Sequence, residues 1–136
     1  MNDCSYNNDE ESFMDSKKVY SEKVISKMTD MLSIAGDRTR LKIMLALIDE
    51  DKCECGGARH SHCGTCEHRH CMIEKCVSEI MVDVNASQSL ISHQLKVLKD
   101  FDLVSTRRDG KKIYYSLKDG HVKQLISVVL EHALED

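Results

Sequence analysis

The reading of the fold turns on residues Asn85 to Leu117: Asn85-Ala86-Ser87-Gln88-Ser89-Leu90-Ile91-Ser92-His93-Gln94-Leu95-Lys96-Val97-Leu98-Lys99, followed after Asp100-Phe101-Asp102 by Leu103-Val104-Ser105-Thr106-Arg107-Arg108-Asp109-Gly110-Lys111-Lys112-Ile113-Tyr114-Tyr115-Ser116-Leu117. Ser87 is a good N-cap, and a helix through Lys99 would turn Leu90 or Ile91, then Leu95 and Leu98, toward a core. Its other face is polar. Beyond it, Asp109-Gly110 interrupts two β-prone runs, and glycine accepts the positive φ that tight hairpin turns require. The basic residues gather at the tip of that hairpin.

Upstream, a helix is expected to begin near Met72, with Ile73, Val77, Ile80 and Met81 on one face. Asn85-Ala86-Ser87 then breaks the pattern. Two short helices across a tight turn, the second polar outside, make a helix-turn-helix, and the hairpin after them makes a wing. Further out, Val24, Ile25, Met28, Met31, Leu32 and Ala35 recur with helical period over Lys17 to Ile34. Gly36 would stop that helix and Asp37 would cap another, burying Leu41, Met44, Leu45 and Ile48. A last helix is expected from about Asp119 to Leu134. The expected fold is mostly α with a β-hairpin wing, a homodimeric winged helix-turn-helix.

A chain of 136 residues suits one core, and 41% hydrophobic with 31% charged residues excludes wholesale disorder. Its longest unbroken apolar run is Ile43 to Ile48, far below the roughly 20 residues of a membrane span. The N-terminus has neither a basic start nor an apolar stretch, so no secretory signal is expected and the location expected is cytoplasmic. Residues 1–16 hold five acids and no Lys or Arg and read as an acidic disordered arm. Removing those five leaves 18 acids against 19 bases in the winged domain, 17–136. From Ala86 to Leu117 six bases face three acids, a local excess that permits nucleic acid despite the net charge of −4.

Asp119, His121, His132 and Glu135 are suitable ligands for a borderline divalent metal. Eleven residues separate the two histidines, roughly 16 Å along a helix, so one chain cannot bring all four together. Yet His121, Leu125, Val128, His132 and Glu135 follow the 4-3-4-3 spacing of a helix seam. Suppose two copies pack antiparallel about a point midway between Ile126 and Ser127. Leu125 then meets Val128, and Asp119 and His121 of one copy approach His132 and Glu135 of the other. Two identical sites of two nitrogens and two oxygens result, one at each end. Zinc is the expected ion, with cobalt, nickel and cadmium as alternatives.

The segments Ala35-Gly36-Asp37-Arg38-Thr39-Arg40-Leu41, Ser87 to Leu95 and Arg108-Asp109-Gly110-Lys111, with the spacing Asp119-x-His121 and His132-x-x-Glu135, make the chain resemble the ArsR/SmtB family of metal-sensing repressors. The resemblance covers about Lys17 to Asp136 apart from one insertion. It implies a homodimer that holds double-stranded operator DNA when metal-free and releases it on binding metal. It also implies that Gln88, Ser89, Ser92 and His93 face the major groove, with the wing from Arg108 to Lys112 near the backbone. Independently, Lys96, Arg107 and Lys111 can pair with phosphate. Family members with thiolate sensors carry Cys-Val-Cys at the start of their third helix, where this chain has Cys76-Val77-Ser78. Cys76 is thus a further metal candidate.

The insertion, residues 50–72, is where the cysteines concentrate: six of seven lie between Cys53 and Cys76, with His60, His62, His68 and His70 among them. Cys53, Cys55, Cys63 and Cys66 would make a closed four-thiolate zinc site, although the His-x-His pairs offer replacements. An iron–sulfur cluster suits four thiolates too, whereas disulfides are disfavoured in a reducing compartment. Structural or buffering zinc is the expected role. No nucleophile elbow, phosphate loop or His-Glu-x-x-His stands in the sequence, so neither an enzyme nor a small-molecule substrate is expected. The rival readings are a soft-metal sensor for cadmium, lead or arsenic using the insertion and Cys76, a redox switch, or a metal-storage module.

Overall fold

The computed structural model describes residues 19–48, 60–61 and 72–135; the arm and the ligand candidates Cys53, Cys55, Cys63 and Cys66 lie outside them. α1 (Glu22–Ala35) starts where the Ser21 hydroxyl accepts from the Val24 N–H, and it ends with the Gly36 N–H donating to the Leu32 carbonyl. A Cβ at Gly36 would sit 3.2 Å from that carbonyl, which favours glycine there. α2 (Arg38–Ala46) follows at once, because the Asp37 carboxylate accepts from both the Thr39 and Arg40 N–H groups at 3.1 Å. Both caps satisfy donors that the first helical turn leaves unpaired.

The region expected to be helical from Met72 differs. A short antiparallel ribbon, β1 (His60–Ser61) with β2 (Met72–Ile73), comes first, and β3 (Lys75–Cys76) follows. Lys75 pairs with Tyr115 and Cys76 with Tyr114, so the backbone here is committed to a sheet. α3 (Val77–Val84) begins only after that pairing ends. Asn85 closes it in the left-handed conformation, φ 57°, which asparagine tolerates better than most residues. α4 (Gln88–Asp100) then starts from Ser87, whose hydroxyl accepts from the Leu90 N–H.

The wing consists of β4 (Val104–Asp109) and β5 (Lys112–Leu117) in antiparallel register, Asp109 opposite Lys112, and the sheet order is β3-β5-β4. The two central turn residues are therefore Gly110 and Lys111, one position later than the Asp-Gly pair suggests. Gly110 has φ 61° and Lys111 does not have a positive φ, the pattern of a hairpin turn with glycine in the first central place. α5 (Gly120–Leu134) closes the described chain, with the Asp119 carboxylate accepting from the Val122 N–H at 3.1 Å.

Ile43, Met44, Leu47, Ile80, Ile91, Leu95, Leu98, Leu103 and Leu117 are completely buried and hold α2, α3, α4 and the base of the wing together. Burying such a side chain contributes about 1.5–3 kcal/mol. On α4 the inward residue is Ile91, while Leu90 stays exposed. Leu41, Leu45 and Ile48 are half-buried at the margin of this core. α5 contributes Val122 and Ile126 to it. α1 is different: Ala35 is its one buried residue, and Val24, Ile25, Met28 and Leu32 are exposed. No helix among the described residues is long and apolar enough to cross a membrane.

Candidate nucleic-acid interface and metal centre

The buried positions of α4 fix what its other side presents. With Ile91, Leu95 and Leu98 in the core, Gln88, Ser89, Ser92, His93 and Lys96 all stand exposed on the outer surface. These hydroxyl, amide, imidazole and ammonium groups can donate to phosphates and base edges. Beside them the wing extends Arg108, Lys111 and Lys112 into solvent, with Asp109 as the one acid at its tip.

Arg107 stands apart from the other wing bases. Its Nε and Nη2 both reach Glu74 Oε2, at 2.8 and 2.7 Å, and its guanidinium lies 5.0 Å from the centre of the Tyr114 ring. Its Nη1 is 4.0 Å from Asp109. The hydrogen bond to Glu74 raises the Arg107 pKa above its ordinary value. Glu74 is just 5% exposed, so this arginine neutralises a buried carboxylate and ties β4 to the segment ahead of β3. The phosphate contact expected of Arg107 therefore has to compete with Glu74. The sequence carries little signal for that pairing, because Glu74 already has Lys75 beside it and its structural partner is 33 positions away.

On α5 the four expected metal ligands fall at two ends of one exposed stripe. His121 Nδ1 is 3.7 Å from Asp119 Oδ1, and His132 Nδ1 is 3.6 Å from Glu135 Oε2. The histidine side chains are 94% and 87% exposed. Between them Leu125 and Val128 are exposed apolar residues, while Val122 and Ile126 occupy the opposite, buried side. Within one chain the two ends stay separate. Among the described residues no group of three or more His, Cys, Asp or Glu is close enough to hold an ion. The donor set nevertheless suits zinc: two imidazoles and two carboxylates, each His already beside a carboxylate, would complete four ligands when two such ends meet.

Cys76 caps α3 and is 7% exposed, with Sγ 3.1 Å from Ser78 Oγ. Burial pushes its thiol up, but the Ser78 hydroxyl and the backbone amides of the first turn outweigh that and leave it below its ordinary value. It is a thiol engaged inside the fold, apart from the α5 stripe.

A helix-turn-helix with a polar outer face on its second helix, backed by a three-stranded sheet that forms a wing, defines a winged helix-turn-helix protein. Residues 73–106 match the family described as bacterial regulatory protein, arsR family. A transcriptional repressor SmtB homolog of Synechocystis is 31% identical over 109 residues, covering 80% of this chain and 65% of the relative. A cadmium resistance transcriptional regulatory protein CadC homolog of Staphylococcus aureus is 39% identical over 62 residues, 46% of this chain and 51% of the relative. The chain thus spans between half and two thirds of these relatives. Among solved structures, HlyU from Vibrio cholerae superposes with a TM-score of 0.61 at 25% identity, covering 85% of this chain and 98% of that one. Residues 73–106 thus resemble an arsR-family DNA-binding domain, and the likeness to the SmtB homolog extends over most of this chain.

Proposed function

We propose that this chain is a dimeric, DNA-binding transcriptional repressor that releases its operator when zinc or a similar divalent metal binds between the terminal helices of two copies. The division of labour is a single winged domain, residues 17–136, with the acidic arm and the Cys/His-rich insertion as additions to it. Gln88, Ser89, Ser92 and His93 read the major groove. Lys96, Arg108 and Lys111 neutralise phosphate. Asp119 and His121 of one copy join His132 and Glu135 of the other around each ion, so Zn(II) first, and Co(II), Ni(II) or Cd(II) by the same donors, would tie the two α5 helices together. A dimer locked in that way presents its two recognition helices at a spacing poorly matched to successive major grooves. A differential affinity of about 1–3 kcal/mol suffices for a change of one to two decades in DNA binding.

The observation that carries this reading is the stripe on α5. Leu125 and Val128 are exposed in the single chain, lie at seam spacing, and are bracketed by a His–carboxylate pair at each end. An antiparallel copy answers both features at once, covering the apolar centre and completing two ligand sets. The relatives named as an SmtB repressor homolog and a cadmium resistance regulator are consistent with metal-dependent repression. The protein is expected to work in the cytoplasm, where its DNA is.

The test uses a DNA duplex that the metal-free protein selects from a randomised pool. Zinc should release the duplex and a chelator should restore binding. Affinity unchanged by zinc would favour storage, and release by oxidant alone would favour a redox switch; either result ends the zinc-sensing account.

A further inference from the structure

Arg40 makes contacts that neither DNA reading nor metal binding requires. Its Nε donates to the Ile34 carbonyl of α1 at 2.7 Å, and its Nη1 donates to Gln94 Oε1 of α4 at 2.8 Å. Nη2 lies 3.9 Å from the Asp37 carboxylate that caps α2, and the arginine side chain is just 18% exposed. One guanidinium on α2 therefore joins the last turn of α1 to the middle of α4.

Each end of this link is meaningful. Ile34 is in the final turn of α1, whose carbonyls lack partners within the helix, so the arginine satisfies an acceptor that would otherwise need water. α1 attaches through the buried Ala35 and the partly buried Met31 and Ile34, and the Arg40 Nε adds one charge-assisted hydrogen bond at its end. Gln94 sits on α4 between the buried Ile91 and Leu95 and beside the exposed His93. The guanidinium is planar with donors at fixed angles, so it sets direction as well as distance; a lysine in its place is a point charge on a flexible stem without that fixed fork.

We propose that Arg40 is a positioning residue that fixes α4 against α1 through Gln94, so that a shift of α1 in the dimer turns the DNA-facing row of α4. This rests on the DNA-binding, dimeric reading above. Val24, Ile25, Met28 and Leu32 of α1 are exposed and free to meet a second copy, and the Arg40 fork is a polar connection from that helix to the recognition helix.

The experiment compares wild type, Arg40→Lys, Gln94→Met and the double variant, all metal-free, for affinity toward the duplex selected by wild type. Dimer dissociation is followed in parallel by sedimentation equilibrium. Each single variant is expected to lose about tenfold in DNA affinity while the double variant loses no more than the worse single, the signature of two residues acting through one contact. Dimer dissociation should stay at the wild-type value. Losses that multiply in the double variant, weakened dimers, or single variants that bind as tightly as wild type would overturn the proposal. Should Arg40→Lys fail to fold, Gln94→Met decides alone, and unchanged affinity there overturns it. A wild type that selects no duplex removes the DNA-binding reading and this role together; a wild type that binds, matched by its variants, removes this role only.

Discussion

Glu74 and Arg107, separated by 33 positions in the chain, share one carboxylate oxygen: Oε2 accepts from Nε at 2.8 Å and lies 2.7 Å from Nη2. The acid is buried and the base leans over Tyr114, so the pair fastens the wing to the segment just ahead of β3. Removing the arginine leaves a buried carboxylate without its donor, which costs more than removing both. Arg107→Met should therefore lower the melting temperature by several degrees, and adding Glu74→Met should restore part of the loss. Thermal unfolding followed by circular dichroism checks this, and an unchanged Arg107→Met melting curve would contradict it.

The same pairing separates Arg107 from its neighbours in DNA binding. Each phosphate contact contributes about one unit to the slope of log affinity against log salt concentration. Lys111→Gln should reduce that slope by about one. Arg107→Gln should leave it unaltered even where affinity falls, because its charge is spent on Glu74. Equal reductions for both variants would return Arg107 to the phosphate contacts.

Asp119 has two duties that substitution can separate. Its carboxylate caps α5 by accepting from the Val122 N–H, and it lies 3.7 Å from His121 at one end of the proposed ligand set. Asp119→Ala should cost about 1 kcal/mol of stability through the lost cap. Asp119→Asn keeps a capping oxygen and should stay within a few tenths of a kcal/mol of wild type. Both should weaken zinc binding by at least the roughly tenfold that follows loss of a mere supporting group at a metal site. Denaturant titration and competition with a chromogenic chelator read the two effects separately.

Leu125 tests the seam. A charge placed there by Leu125→Asp appears twice in a symmetric interface and would have to be buried in both copies. Because the buried side of α5 is formed by Val122 and Ile126, the protomer should still fold. Sedimentation equilibrium should give a dimer dissociation constant raised at least about tenfold by the buried charges. A variant as dimeric as wild type would mean that α5 does not form the interface.

Most helices, the caps Asp37 and Ser87, and the wing are legible in the sequence because each depends on neighbours a few residues away, and Gly110 gives the hairpin its turn. Ser21 and Asp119 also cap helices, but both stand inside spans that the sequence pattern makes helical, since the period alone does not mark where a helix starts. The segment before α3 was misread because its conformation is decided at a distance: Lys75 and Cys76 pair with Tyr115 and Tyr114, about forty residues away, and no local period reports that. The same holds for the two polar links. Arg40 reaches Gln94 across 54 positions and Arg107 reaches Glu74 across 33, so a sequence reading finds each residue without its partner. The α5 stripe was legible in full as a pattern, and its exposed histidines and apolar centre agree with that pattern. In the proposed dimer, what joins its two ends belongs to a second copy.

The shared nature of the metal site is open to one decisive measurement. His121→Ala and His132→Ala proteins each damage both sites of their own dimer, whereas a mixed dimer of the two has one site missing both histidines and one site intact. Zinc titration of the separately purified variants and of the mixed dimer, isolated by two affinity tags, compares these cases. The account predicts that mixing restores one tight zinc site per dimer beyond any zinc held by the Cys/His-rich insertion, where neither variant alone has more than the insertion holds. A mixed dimer that binds zinc as weakly as its parents would contradict it.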